Sequence, residues 1–179
     1  LGCAEIGAAQ WLRAQFAARR VSKQYLCLCS GLPLGPEGFA GDIDSPLLIT
    51  EGEHEGRRAE PSPLGKEALT RYQVLEVFPG ESDGDNVLAL LWVCPQTGRT
   101  HQIRAHLACI GRAVVGDVDY GGITHVRGTP CPRLFLHCRR LSLLDLAGGR
   151  FEPEAPLPRD LEELLRRLRR GGSAHGAER

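Results

Sequence analysis

Two arginines and two histidines fall within Thr97-Gly98-Arg99-Thr100-His101-Gln102-Ile103-Arg104-Ala105-His106-Leu107. A glycine turn leading into a helix presents unpaired backbone N–H groups, which favour phosphate or carboxylate. Arg99 and Arg104 add positive charge at the same place. Anion binding is therefore the chemistry these residues offer, although their types do not say which anion. His101 and His106 are five apart, unlike the i, i+4 pair of a helical zinc site, and no H-E-x-x-H occurs. Structural hydrogen bonding suits both. The seven cysteines (Cys3, Cys27, Cys29, Cys94, Cys109, Cys131 and Cys138) are odd in number and contain no C-x-x-C pair. Neither a disulfide framework nor a metal site is expected of them.

The elements that must position these groups follow from periodicity. Residues 4–19 have helical spacing through Ala8, Trp11, Leu12, Gln15 and Phe16. Lys23 to Cys29 reads as a central strand, apolar on both faces, with Cys27 and Cys29 on one of them. Residues 31–46 are rich in Gly, Pro and Asp and read as turns and loop, and the polar stretch 51–65 reads as a mobile surface loop. Strands near 69–77 and 87–94, separated by turn residues, form an expected antiparallel hairpin. The spacing predicts a helix over 101–110, with Ile103, His106, Leu107 and Ile110 on one face and Gly111 as its stop. A short strand at 113–115, a long one at 134–145 and a turn at Gly148-Gly149 follow, then a short strand around Phe151.

Asp160 is expected to cap a last helix, 161–170, whose apolar side is Leu161, Leu164, Leu165 and Leu168. Its arginines at 166, 167, 169 and 170 suit the helix C-terminal dipole. Residues 171–179 read as a disordered tail. Strands outnumber helices without alternating with them, which predicts an α+β fold with a mixed, mostly antiparallel central sheet and flanking helices.

The chain has 179 residues, 42% hydrophobic and 25% charged, with formal net charge +0. That suits one globular domain and gives no global basic field. Lys23 and Lys66 are the only lysines, so the positive charge is nearly all arginine, a residue that grips phosphate bidentately and stacks on bases. No apolar run reaches the ~18 residues of a membrane span.

The segment from Thr97 to Leu107 resembles the T-G-R-[ST]-H-Q-[LI]-R-x-H signature of the RluA-type RNA pseudouridine synthases. The run Leu107 to Asp117, ending in Gly116-Asp117, and Tyr120-Gly121 fit the same block. Phe16 to Tyr25 is similar to the family's approach to its active-site tyrosine, and Gly65 to Tyr72 to its G-K-x-A-x-T-x-Y segment. Leu134 to His137 and Glu152 to Pro158 match later segments, so the resemblance covers roughly residues 5–160.

The resemblance implies isomerisation of uridine to pseudouridine in structured ribosomal or transfer RNA, without a cofactor or metal. It makes Arg104 the partner of the catalytic carboxylate and Tyr25 the tyrosine beside the target base. Arg99, Gln102, His101, Lys66 and Arg112 become candidates for RNA contact, with Arg57, Arg58 and Arg127 as further loop candidates. The family's aspartate lies in H-R-L-D-x-x-T-S-G, which these residues lack, and Met is also absent. The expectation is a catalytic domain over 1–158 whose N-terminal segment lies upstream of Leu1, followed by a helix at 159–170. Alone it should be inactive and marginally stable. A catalytically inert RNA-binding relative is the alternative. A monomer in an intracellular compartment is expected, with the target RNA open.

Overall fold

The computed structural model describes residues 6–52, 56–80 and 87–173. The first element is helix α1, Ile6–Ala17, which ends where Arg19 turns left-handed at φ 56°. Positions 4 and 5 of the expected helix lie outside the described residues. Gln15 is 3% exposed, and its amide donates to the Leu144 carbonyl at 2.8 Å and accepts from the Leu144 N–H at 2.7 Å. The side chain thus serves a strand end as a neighbouring strand would.

Six strands make one sheet: β1 Ser22–Gly31, β2 Ala40–Asp44, β5 Leu69–Phe78, β6 Val87–Pro95, β9 Leu136–Leu144 and β10 Arg150–Phe151. Their order is β10-β9-β1-β6-β5-β2, and each neighbouring pair runs antiparallel. β3 Leu47–Gly52 and β4 Gly56–Pro61 form a separate hairpin, as do the two-residue strands β7 His125–Val126 and β8 Thr129–Pro130. The expected α+β class and the β5–β6 hairpin are observed; its connecting turn, 81–86, lies outside the described residues. The short strand expected at 113–115 is a single bridge, Cys29 to Val114.

Two loop expectations are corrected. Residues 31–46 contain β2, an edge strand in which only Ile43 is buried while Asp42 and Asp44 face out. An edge strand with one inward residue carries little apolar pattern. Residues 51–65 contain the end of β3 and all of β4, a two-stranded ribbon in which Leu47 and Ala59 are buried and Arg57, Arg58 and Glu60 are exposed. A ribbon with mostly wet faces has loop-like composition.

β1 is central and its two faces serve two cores. Leu28, with Phe78, Leu88 and Leu90, packs on Leu161, Leu164, Leu165 and Leu168 of helix α3, Arg159–Ser173. Cys27 and Cys29, with Val74, Leu91 and Val93, pack on Ile103 and Leu107 of helix α2, Gln102–Cys109. Each large side chain so buried contributes about 1.5–3 kcal/mol. Burial pushes both thiols up, so Cys27 and Cys29 stay protonated.

The last helix is built into the core. It begins before Asp160, which sits inside its first turn and pairs with Arg133 at 2.8 Å. Arg166 and Arg167 pair with Glu163, and Arg169 with Glu76 on β5. The helix runs to Ser173, three residues into the expected tail, and 174–179 lie outside the described residues. Among the described residues no helix is long and apolar enough to cross a membrane.

One close approach ties the sheet to α2. Gly31 ends β1 at φ 140°, and a Cβ there would lie 2.0 Å from the carbonyl oxygen of Gly111. Gly111 itself is left-handed at φ 71°, which terminates α2 as expected.

Candidate active site

Pro95 ends β6, and the chain turns through Thr97 and Gly98 into α2. His101 takes the N-cap position in the left-handed region, φ 49°, and its side chain makes no capping bond. Gln102 does the local work instead. Its Oε1 accepts from Thr97 Oγ1 at 2.7 Å and from the Arg99 N–H at 2.9 Å. Its Nε2 donates to the Leu69 carbonyl and Thr70 Oγ1, both at 3.0 Å. The Leu69 N–H donates to Thr97 Oγ1 at 3.0 Å. His106 completes the set, with Nδ1 2.9 Å from Thr70 Oγ1 and Nε2 2.9 Å from the Ser45 carbonyl. Gln102 is 4% exposed, and Thr70 and His106 are 0%. The motif is stitched to β5 by buried hydrogen bonds, each worth about 1 kcal/mol net and more to leave unmade.

That stitching aims Arg104. Its Nε donates to Asp117 Oδ2 at 2.7 Å and its Nη2 to Asp117 Oδ1 at 2.6 Å, a two-point fork. Nη2 also meets Asp119 Oδ2 at 2.7 Å. The guanidinium carbon stands 4.7 Å from the centre of the Tyr120 ring, and that of Arg58 is 5.0 Å from the same ring. The hydrogen bond to Asp117 holds Arg104 well above its ordinary pKa. Tyr120 closes the 3-10 turn Val118–Tyr120 and exchanges two hydrogen bonds with Ala59 of β4, at 2.9 and 3.1 Å. The β3–β4 hairpin is thereby fastened to the arginine.

Arg104 and Tyr25 line one open pocket of about 220 Å³, with Lys23, Arg99, His101, Gln102, Ile103 and Leu136 among its other walls. Tyr25 comes from β1 and Arg104 from α2. The Tyr25 phenol is pushed up to about 12, mainly by burial and then by neighbouring Cys138. Arg99 sends its Nε to the Glu67 carbonyl at 3.0 Å. His101 is drawn below its ordinary pKa by burial and by Arg104. Its Nδ1 lies 3.3 Å from the Tyr120 hydroxyl, with the rings edge to face at 5.9 Å.

Of the expected site residues, the pocket gathers Tyr25, Arg99, His101, Gln102 and Arg104. It does not gather Lys66, an exposed residue bridged to Leu47 by its backbone. Nor does it gather Arg112, which is fully buried and donates from Nη1 to the Leu32 and Val87 carbonyls. The expected RNA contacts from Arg112 and Gln102 do not fit this geometry. Both point inward, and the amide of Gln102 is fully occupied. The reading missed Lys23 as a pocket residue and Asp117 and Asp119 as partners of Arg104. The available signal was the Gly116-Asp117 and Tyr120-Gly121 block, which gave no side-chain role. Among the described residues no cluster of His, Cys, Asp and Glu could hold a metal ion.

Comparison with known proteins gives the family and the fold. Residues 5–109 match the model of the RNA pseudouridylate synthase family. An uncharacterized RNA pseudouridine synthase of Chloroflexus aurantiacus is 40% identical over 90% of this chain and 46% of that protein. The ribosomal large subunit pseudouridine synthase D of Pseudomonas aeruginosa is 35% identical over 91% of this chain and 50% of that protein. Human RNA pseudouridylate synthase domain containing 1 superposes with a TM-score of 0.67 at 29% identity, covering 93% of this chain and 73% of that structure. The chain belongs to the RNA pseudouridylate synthase family, in its RluA-type branch. It spans about half the length of the curated relatives it matches.

Proposed function

We propose that the full-length protein carrying this chain is an RNA pseudouridine synthase and that the pocket between β1 and α2 receives the target uridine. The observation that carries the reading is the meeting of Tyr25 and Arg104 at one pocket, brought there from two separate motif segments. In the reaction the N1–C1′ bond breaks and C5 bonds to C1′. The C5 proton then leaves and N1 gains one. A base inside folded RNA must first be unstacked and turned out.

Each residue has a chemical role in this reading. Arg104 pairs with the catalytic aspartate, keeping it ionised and oriented. The family's aspartate motif has no counterpart in residues 1–179. Tyr25 packs its ring on the base with its hydroxyl neutral, because a phenol near 12 is not ionised at neutral pH. Lys23 and Arg99 stand at the same pocket and suit phosphate. The RNA class remains ribosomal or transfer RNA, and the domain acts as a monomer.

The test is release of tritium from C5-labelled uridine in a ribosomal or transfer RNA by the full-length protein. Arg104→Ala is expected to cut release at least a hundredfold while RNA affinity changes less than threefold. Tritium release at the wild-type rate from that variant would refute the role of Arg104. RNA binding by the wild type without release would turn the assignment to an inert relative.

A further inference from the structure

We propose that Asp117 is a positioning carboxylate that sets the plane of the Arg104 guanidinium, and that Asp119 is the exchangeable partner which an incoming anion displaces. This rests on the function proposed above for the pocket.

The two carboxylates meet one guanidinium in unequal ways. Asp117 has a side chain 0% exposed and takes both Nε and Nη2 of Arg104, whose own side chain is 14% exposed. Two parallel bonds fix a plane as well as a distance. The backbone of Asp117 is also held, its N–H donating to the Val114 carbonyl at 3.1 Å and its carbonyl accepting from the Gly122 N–H at 2.7 Å. Asp119 makes one bond, to Nη2, and is 69% exposed. A single-point contact in water is worth little and can be given up. Nη1 makes no hydrogen bond among the described residues.

The fork therefore leaves one edge of Arg104 for a second anion. A third carboxylate or a phosphate approaching that edge would be repelled by the two already there. Asp119 can swing into solvent; Asp117 cannot, because leaving would strand a buried charge. The ring of Tyr120 blocks rotation of the plane from one side. Asp117 thus works through Arg104 and not on the substrate.

The experiment uses the full-length protein and pairs kinetics with nitrogen-15 spectra of the arginine side chains. Asp117→Asn is expected to lower kcat at least tenfold with the RNA Kd within twofold. In an Arg104→Ala background it should add no further loss. Arg104→Lys keeps the charge but cannot fork, and it should lose kcat to the same extent, which covers the case that Asp117→Asn folds poorly. The Arg104 Nε–H signal should be protected from exchange in the wild type and in Asp119→Asn, and unprotected in Asp117→Asn. A kcat within threefold of wild type for Asp117→Asn or Arg104→Lys would overturn the proposal, as would losses that multiply with Arg104→Ala. If the wild type forms no pseudouridine, the functional reading fails separately and the spectra decide. Protection of Nε–H surviving in Asp117→Asn, or lost in Asp119→Asn, overturns the assignment of anchor and exchangeable partner.

Discussion

Thr70 Oγ1 and His106 Nδ1 lie 2.9 Å apart, and the neighbours of the pair fix which of them donates. His106 Nε2 faces the Ser45 carbonyl, so that nitrogen carries the proton. Nδ1 is then the acceptor, and Thr70 donates to it. Thr70 in turn accepts from Gln102 Nε2. The network has one consistent polarity only while His106 is neutral.

Burial holds His106 below its ordinary pKa of 6.5. In the window between 6.5 and that lower folded value, the unfolded chain binds a proton that the folded chain refuses. Stability is therefore full above about 6.5 and falls as pH drops through this window. Melting followed by circular dichroism should show a lower Tm at pH 5.5 than at pH 7.5. In His106→Gln the drop should shrink, leaving the part due to His101, which is shifted the same way. An unchanged drop in His106→Gln would show that His106 is not the sensor.

Gln102→Leu keeps the volume and removes four hydrogen bonds; the Leu69 carbonyl keeps the Gln96 N–H and Thr70 keeps His106, but the Thr97 hydroxyl hydrogen and the Arg99 N–H lose their acceptor. The expected cost is about 2–5 kcal/mol, from one to three kcal/mol per stranded buried group and partial relaxation. Urea unfolding measures it. A change under 1 kcal/mol would mean that water replaces the amide.

Tyr120→Phe removes the hydroxyl that serves both backbone groups of Ala59. The aromatic ring stays beneath Arg104, so the effect should be local. The Ala59 amide is expected to exchange at least tenfold faster, with Tm lowered by a few degrees. Amide exchange read by nuclear magnetic resonance checks this, and unchanged protection at Ala59 would contradict it.

The Tyr25 phenol, near 12, should not ionise below pH 11. A wild-type minus Tyr25→Phe difference titration at the phenolate absorbance band isolates its signal from Tyr72 and Tyr120. Ionisation with a midpoint below 10.5 would disprove the burial effect.

Leu164→Ala should cost about 2–5 kcal/mol, because the side chain is 3% exposed and faces the sheet. Chemical denaturation tests it. Such a loss would show that the terminal helix is part of one cooperative unit, while a loss under 1 kcal/mol would make it an appendage.

What the residues revealed in advance followed strong periodicity. β1, β5, β6, α2 and the leucine face of α3 bury apolar rows, and such rows are visible in a single sequence. β2, β3 and β4 bury one residue in each case at most along their described turns of pattern, so turn-rich composition outweighed strand character. The two key pocket residues were legible through motif order. The partners of Arg104 were not, because they reach it from a turn thirteen and fifteen positions along. Spacing carries no signal for a contact made by folding a loop back onto a helix. Arg112 was misread for a simpler reason. An arginine beside a glycine turn looks exposed, and only the packed structure shows it fully buried, its guanidinium turned to the Leu32 and Val87 carbonyls.

The crowding of residue 31 against the carbonyl of Gly111 gives the protein a weak point where β1 ends beside the C-terminus of α2. Even a methyl group there would act as a wedge under the far end of α2. The helix could yield only by pivoting, and its opposite end carries Arg104. An alanine at a position that does not line the pocket would therefore detune the guanidinium through the helix that carries it.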